Sequence, residues 1–441
     1  MRRCGHRRAG RRDRRGPGPG PGLRPRLCIR RRVDAGGLLR PAARGQTFFS
    51  RRSRLTNQAP LAVIAGAGVA GLSQAWWLTR AGWRVVLAER AAHLRDGGYM
   101  MGLSGPGLHT ARSMGLVPAL RAVEHDIGEN VYRDRAGREI MRIRYRDLLE
   151  QLDWITLRRS DLVRVLHEAT RDHCDLRLSC TVAQWQDDGN QVAVTLSDGS
   201  QWQADLLIGA DGVHSTLRAG AFDARYEALG YRYAAYDVAD SLGLSPDFVS
   251  YAAVGQQVEY HGLGQERLAV LHVWRSAESG LVPASQRRAL LQELAGHTHP
   301  QVRRVLDSLP ADAPIVMDDL AMIDMPSWHR GRVLLAGDAA HSLSLISGQG
   351  AGMAMASAAV LAQELQRQPV AGALQAHDAR LRPIIVQLQA RSRKLAPMYV
   401  PAAPWSFRLR NTAMRYLPKL VLKRYFLSGL KSEAEAARAL A

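Results

Sequence analysis

The chain has 441 residues, of which 46% are hydrophobic and 23% charged. That balance excludes a mostly disordered, collagen-like or multi-span membrane protein, and the length suits two or three domains of ~100–200 residues each. Four cysteines in so long a chain exclude a disulfide scaffold.

The net charge of +20 is concentrated at one end. Residues 1–55 hold 18 Arg, no Lys and only Asp13 and Asp34 as acids, a net of +16 that leaves +4 for the remainder. The charge belongs to an appendage and not to a nucleic-acid-binding face, so no nucleic-acid partner is expected. Residues 1–57 show no amphipathic period and carry Pro-Gly repeats, which predicts a disordered basic tail. They lack the serine content and amphipathicity of a transit peptide and the apolar run of a twin-arginine signal. Plain disorder or a start assigned too far upstream accounts for them better. No apolar run reaches the ~18 residues of a membrane span, and a cytoplasmic protein is expected.

Order begins at Pro60. Leu61 to Ala65 is a short apolar run that reads as a buried strand. Gly66, Gly68 and Gly71 follow in G-x-G-x-x-G spacing, with a helix predicted over 70–81. The first glycine permits a tight turn, the second lets backbone approach a pyrophosphate, and the third lets helix and strand pack closely. The helix start offers free N–H groups and the positive end of a dipole. A second strand, Trp83 to Ala88, ends at Glu89, whose carboxylate suits the two hydroxyls of an adenosine ribose. Strand, glycine loop, helix, strand and terminal acid together are far more specific than the glycines alone and predict dinucleotide binding.

Two later segments repeat the strand-then-turn form. In ADLLIGADGVHSTLR (204–218) an apolar strand stops at Asp211-Gly212, and Asp211 can orient amides and sugar hydroxyls. In GRVLLAGDAAHSLSLISGQGAGMAMASAAVLAQEL (331–365) a strand stops at Gly337-Asp338, and a small-residue loop leads through Gly348 and Gly350 into a helix near 351–366. That helix start suits a ring edge that gains negative charge on reduction. Each segment alone fits an ordinary strand-to-turn corner or a tightly packed helix.

The three motifs in this order resemble the single-component FAD-dependent aromatic hydroxylases of the para-hydroxybenzoate hydroxylase type, over about residues 60–400. GGYMMGLSGPGLHTARSMGL (97–116) and LRPIIVQLQARSRKLAPMYVP (381–401) look most like the bacterial members that modify polyketides or antibiotics, tetracycline-inactivating monooxygenases among them. The resemblance implies an α/β fold: a Rossmann-like FAD-binding domain with an inserted mixed or antiparallel substrate sheet and a C-terminal helical segment. It divides the chain into 58–222 and 329–372 for FAD, 223–328 for the substrate sheet and 373–441 for the terminal helices. It implies cofactor contacts at Gly66, Gly68, Ala70, Gly71, Glu89, Arg90, Arg159, Asp211, Asp338, Gly348 and Gly350. Arg159 enters through an R-x-x-L pattern in TLRRSDLVRVLHEA (156–169), and its bland reading is a solvated helix-start arginine. One departure stands out: the family carries a proline shortly before G-Q-G, and Ser344-Leu345-Ile346-Ser347 has none.

The implied activity is an FAD monooxygenase. NADH or NADPH reduces the flavin, O₂ forms a flavin hydroperoxide, and oxygen passes to an aromatic or polyketide-like small molecule. The alternatives are a flavin-dependent reductase or dehydrogenase, a halogenase (disfavoured because W-x-W-x-I-P is absent), and a non-catalytic FAD-binding protein recruited through its basic tail.

Between Arg218 and Gly331, alternating segments predict antiparallel strands, then a helix near 285–307 and a strand near 316–325. Tyr231, Tyr233, Tyr236, Tyr251, Tyr260, His261 and His272 are among the aromatic and imidazole groups there, each more simply read as strand packing, and no catalytic base is named. His341 reads as structural in its loop. No His, Cys or carboxylate group has metal-ligand spacing, and Cys174 and Cys180 lack partners for a metal or redox site. The basic stretch 381–431 reads as a terminal helix pair with its charges in solvent.

Overall fold

The structure, a computed structural model, describes residues 59–94, 97–145, 153–244, 247–416 and 440, all within the compact unit Asn57–Ala441. The predicted basic tail and residues 417–431 of the basic stretch lie outside the described residues.

Leu61–Ala65 is buried at every position and lies between Arg84–Ala88 and Leu206–Gly209, parallel to both. An all-apolar strand belongs at such a place, because crossover connections cover both faces of a parallel sheet. The sheet has six strands in the order His329–Arg330, Val333–Leu335, Leu206–Gly209, Leu61–Ala65, Arg84–Ala88, Asp175–Arg177. The three strands that end in the predicted motifs are thus direct neighbours, and their C-terminal ends emerge together. In open α/β sheets ligands bind along that edge.

A second sheet has seven strands, in the order Val316–Asp324, Arg225–Ala239, Arg267–Arg275, Gln256–Gly264, Phe248–Ala253, Glu129–Arg133, Glu139–Arg144. Its pairings are antiparallel except between Phe248–Ala253 and Glu129–Arg133. Alternation sorts its side chains onto two faces. One face carries Tyr236, Tyr251, Tyr260 and Val270 onto the helices Ala284–Ala295 and Pro300–Asp307. The other carries Tyr233, Ala235, Leu271 and Val273 toward Tyr99, Leu345, Ile346 and Tyr399.

The helix predicted near 285–307 is two helices. The first stops at Gly296, and the second starts with Pro300 in its first turn and the His299 ring accepting from the Gln301 amide at 3.2 Å. Glycine after a helix and proline at the first helical position are the expected stop and start.

Two C-terminal helices follow, Val370–Tyr399 and Pro404–Tyr416. The first joins both layers. Arg380 pairs with Glu364 at 2.7 Å on the helix Gly350–Arg367, Gln389 donates to the carbonyls of Ile323 and Ser342, and Arg393 pairs with Glu227 at 2.6 Å. Among the described residues no helix is long and apolar enough to cross a membrane.

Candidate active site

The glycine loop is built by steric necessity. The Gly66 amide donates to the Ala88 carbonyl at 2.7 Å. Its φ is +102°, and a β-carbon there would stand 2.4 Å from the Ala210 carbonyl oxygen. A β-carbon on Gly71 would stand 1.8 Å from the Gly66 oxygen, so only glycine lets the helix Val69–Arg80 approach its strand. Gly68 differs: its nearest neighbour is the Arg159 guanidinium, 3.9 Å from a β-carbon position. Gly68 caps the helix with no side-chain bond to the first-turn amides, which leaves those donors for a ligand. The Glu89 carboxylate accepts from the amides of Ala67 at 2.8 Å and Ala91 at 2.9 Å. These bonds fix the carboxylate beside the loop, and lone pairs remain for further donors. Arg90 follows, exposed.

The second motif is held from within. Asp211 Oδ2 accepts from the Thr216 amide at 2.8 Å and its hydroxyl at 3.2 Å, and Oδ1 is buried without a partner. Ser215 caps the helix Thr216–Ala221 by accepting from the Arg218 amide. The Arg218 guanidinium donates to the carbonyls of Val213 at 2.6 Å and Ala339 at 2.9 Å, which fastens the second motif to the third. His214 meets Asp318 at 2.8 Å and so ties the same loop to the seven-stranded sheet.

The third motif closes on the first. Gly337 has φ +59°, and a β-carbon on it would stand 2.7 Å from that of Ala70. Asp338 Oδ1 lies 3.8 Å from a β-carbon position on Gly350, the first residue of the helix Gly350–Arg367. Between them Ser344 takes φ 64° and ψ 153°, a region that residues with a β-carbon seldom enter, and its hydroxyl oxygen is buried without a partner. This strained residue heads the stretch that lacks the family's proline. Gly348, with φ +66°, ends the short turn Leu345–Ser347.

Three turns far apart in sequence therefore converge: Gly66 on Ala210 and Asp211, Ala70 on Gly337, and Arg159 on Gly68. Electrostatics adds the link between Arg159 and Asp338. Burial works against the Arg159 charge, but Tyr99, Asp338 and Tyr233 outweigh it and hold its pKa above the ordinary value. Burial raises the Asp338 pKa, Arg159 opposes the rise and Asp318 adds to it. Asp338 is crowded by protein yet open to solvent, as befits the wall of a groove. Beside it stand Tyr99 and Tyr233, edge to face with ring centroids 6.0 Å apart, in one apolar cluster with Leu345 and Ile346. Burial raises the pKa of both phenols, that of Tyr233 far above its usual range.

Residues 60–372 match the family described as FAD binding domain. The chain belongs to that family. Its relatives include the flavin-dependent monooxygenase eupH of Phoma sp., 30% identical over 331 residues (69% of this chain, 77% of that protein). A flavin-dependent monooxygenase of Legionella longbeachae is 27% identical, with 69% and 80% covered. Among solved structures, the tetracycline destructase Tet(51) superposes with a TM-score of 0.71 at 23% identity, covering 87% of this chain and 99% of its own. Klebsiella pneumoniae HpxO, complexed with FAD and uric acid, gives 0.72 at 22%, with 85% and 97% covered. These two likenesses speak for the fold. As a family member the chain is a flavin-dependent monooxygenase, with FAD as its cofactor.

The orphaned Asp211 oxygen, the uncapped starts at Gly68 and Gly350 and the cation at Arg159 fit that cofactor's hydroxyls, phosphates and ring edge. Several residues around the groove escape sequence reasoning: Tyr99, His214, Asp318, Glu259 and Tyr399. Of the seven aromatic and imidazole groups singled out, Tyr233 reaches the groove. Tyr236, Tyr251 and Tyr260 are core on the opposite face, where Tyr236 meets His272 at 3.0 Å. His341 is buried against Trp328, with ring centroids 4.8 Å apart.

Proposed function

We propose that this enzyme uses NADH or NADPH and O₂ to hydroxylate an aromatic or polyketide-like small molecule, in the cytoplasm. The observation that carries the reading is the convergence of Gly68, Arg159 and Asp338 on one groove with an aromatic wall, Tyr99 and Tyr233, at its end.

In this reading the amides after Gly68 and the Arg159 guanidinium bind the pyrophosphate, while Glu89 accepts from the adenosine ribose. Ala70 and Gly71 keep the helix start close to the strand, and Arg90 flanks the adenosine end. Asp211 and Asp338 accept from sugar and ribityl hydroxyls. The loop from Gly348 to Gly350 turns a helix start, with its positive dipole end, toward the flavin ring. FAD itself supplies hydride acceptance and O₂ activation when bound. Tyr99, Tyr233, Leu345 and Ile346 exclude water from the reacting end and orient the substrate ring.

The test begins with the visible spectrum of the purified protein and proceeds to reductant oxidation with phenols and polyketides. Ligand-stimulated NAD(P)H oxidation that consumes O₂ and yields a hydroxylated product supports the reading. Turnover of reductant and ligand without O₂ uptake would replace it with a reductase or dehydrogenase.

A further inference from the structure

The groove-facing side of the seven-stranded sheet carries an acid that nothing in the proposed chemistry uses. Glu259 lies on Gln256–Gly264, opposite Leu271, which in turn lies opposite Ala235. Side chains of paired residues share a face, so Glu259 stands on the same face as Ala235 and as Tyr233 two residues away. Two interstrand spacings and two residue rises put the Cα atoms of Glu259 and Tyr233 about 12 Å apart.

The surroundings of Glu259 are unusual for an acid. Its Oε1 accepts from the Tyr399 hydroxyl and the Gln257 side-chain amide, both at 2.7 Å. Among the described residues nothing hydrogen-bonds to Oε2. Burial raises the pKa of Glu259, the bonds from Tyr399 and Gln257 oppose the rise, and a charge on it acts on the phenols of Tyr132, Tyr145 and Tyr399, which burial also holds well above their usual range. No cation pairs with it among the described residues. Arg275 on this side donates to the Val400 carbonyl and the Tyr231 hydroxyl, and Arg410 donates to the Tyr399 carbonyl and Asn411. Arg158 and Arg267 pair with Asp237.

Tyr399 also connects this acid to the groove, because it belongs to the apolar cluster that holds Tyr99, Tyr233, Leu345 and Ile346. A continuous wall therefore runs from the aromatic pair beside Asp338 to an unpaired carboxylate ringed by phenols. Buried acids are normally matched by a cation, and a carboxylate among aromatic rings is the chemistry that receives an ammonium group.

We propose that Glu259 is a specificity-determining residue that binds a protonated amine at the far end of an elongated substrate whose oxidised ring lies beside Tyr99 and Tyr233. This rests on the reading of the groove as a hydroxylase site. It adds that the substrate is a cation, extended over roughly the separation of the two sites, about 12 Å. Arg410 beside Tyr132 and Tyr399 confines the ammonium group to the Glu259 side of the ring of phenols.

The test uses flavin-loaded enzyme and three ligands: para-octylphenol and its ω-hydroxy and ω-amino derivatives. Binding is read from the change in the flavin spectrum, so catalysis is not needed. The ω-amino ligand should bind about tenfold more tightly than para-octylphenol, the size of one charge-assisted hydrogen bond. In Glu259→Gln, which keeps the shape and an acceptor, the three affinities should fall within about threefold of one another. Equal affinities in the wild type, or an amine preference that survives Glu259→Gln, overturn the inference and leave the hydroxylase reading standing. If none of the three ligands perturbs the flavin, the inference falls, and the hydroxylase reading is decided separately by O₂ uptake with other phenols and polyketides.

Discussion

The Arg159 guanidinium stands over Gly68, 3.9 Å from where a β-carbon on that glycine would lie. One side chain thus joins the first nucleotide motif to the field of Asp338. Arg159→Ala should lower FAD affinity by about tenfold or more, the loss of a charge-assisted contact to phosphate. Arg159→Lys should restore part of it, because a point charge replaces a fork. Flavin retained through gel filtration, followed by titration of apoprotein with FAD, reads both. A solvated helix-start arginine would leave affinity unchanged.

The three glycines predict different failures. Gly66→Ala and Gly71→Ala drive a methyl group into backbone 2.4 Å and 1.8 Å away, and should destabilise by about 3 kcal/mol or more, with loss of soluble protein. Gly68→Ala meets only the end of a flexible arginine and should fold, with a melting temperature near that of the apoprotein and weakened FAD binding. Thermal melts of apoprotein, paired with FAD titration, separate the two classes.

Arg218 donates to two carbonyls 126 residues apart in the chain, those of Val213 and Ala339. Arg218→Ala leaves both without that donor and should cost about 2–4 kcal/mol in a urea melt. Because the arginine fastens two cofactor motifs together, flavin should be released at lower urea than the denaturant midpoint. Coincident release and unfolding at the wild-type midpoint would show that the tie is dispensable.

Acid should unfold the protein through its buried histidines. Burial holds the pKa of His261, His272 and His377 down to about 3 and that of His341 to about 4. A histidine unfolded near its ordinary value of ~6.5 binds a proton there that the folded form refuses, so between about pH 6.5 and 4 stability falls as pH falls. Above that window these groups contribute no slope. His377, bonded to Ser357 at 2.9 Å and facing His341, His329 and Asp378, is the one to replace. His377→Gln should flatten the dependence of melting temperature on pH in this range, and an unchanged slope would count against the assignment.

What the sequence displays is what the backbone demands locally. The turn at Gly66 needs a positive φ, the central strand needs an unbroken apolar run, and Gly296 and Pro300 mark the break that splits a single expected helix. The aromatic wall leaves no such trace. Tyr99 and Tyr233 meet only because two layers fold together, and alternation assigns Tyr233 to a face without saying what lies across from it. The same holds for Glu259 and Tyr399, which are 140 residues apart, and for His214 and Asp318, 104 apart. Arg218 shows in the sequence only as the residue that ends the second motif, and its carbonyl partner at Ala339 depends on the third motif closing over the second.

The helix Val370–Tyr399 acts as a ruler. Gln389 anchors its middle to Ile323 and Ser342, and one more residue inserted before Tyr399 would swing that phenol about 100° around the axis and about 1.5 Å along it. Homologous chains that differ in length between these two positions would therefore present a different side chain to the strand Gln256–Gly264, and a change of accepted molecule could arise by insertion alone, with every nucleotide-binding residue untouched.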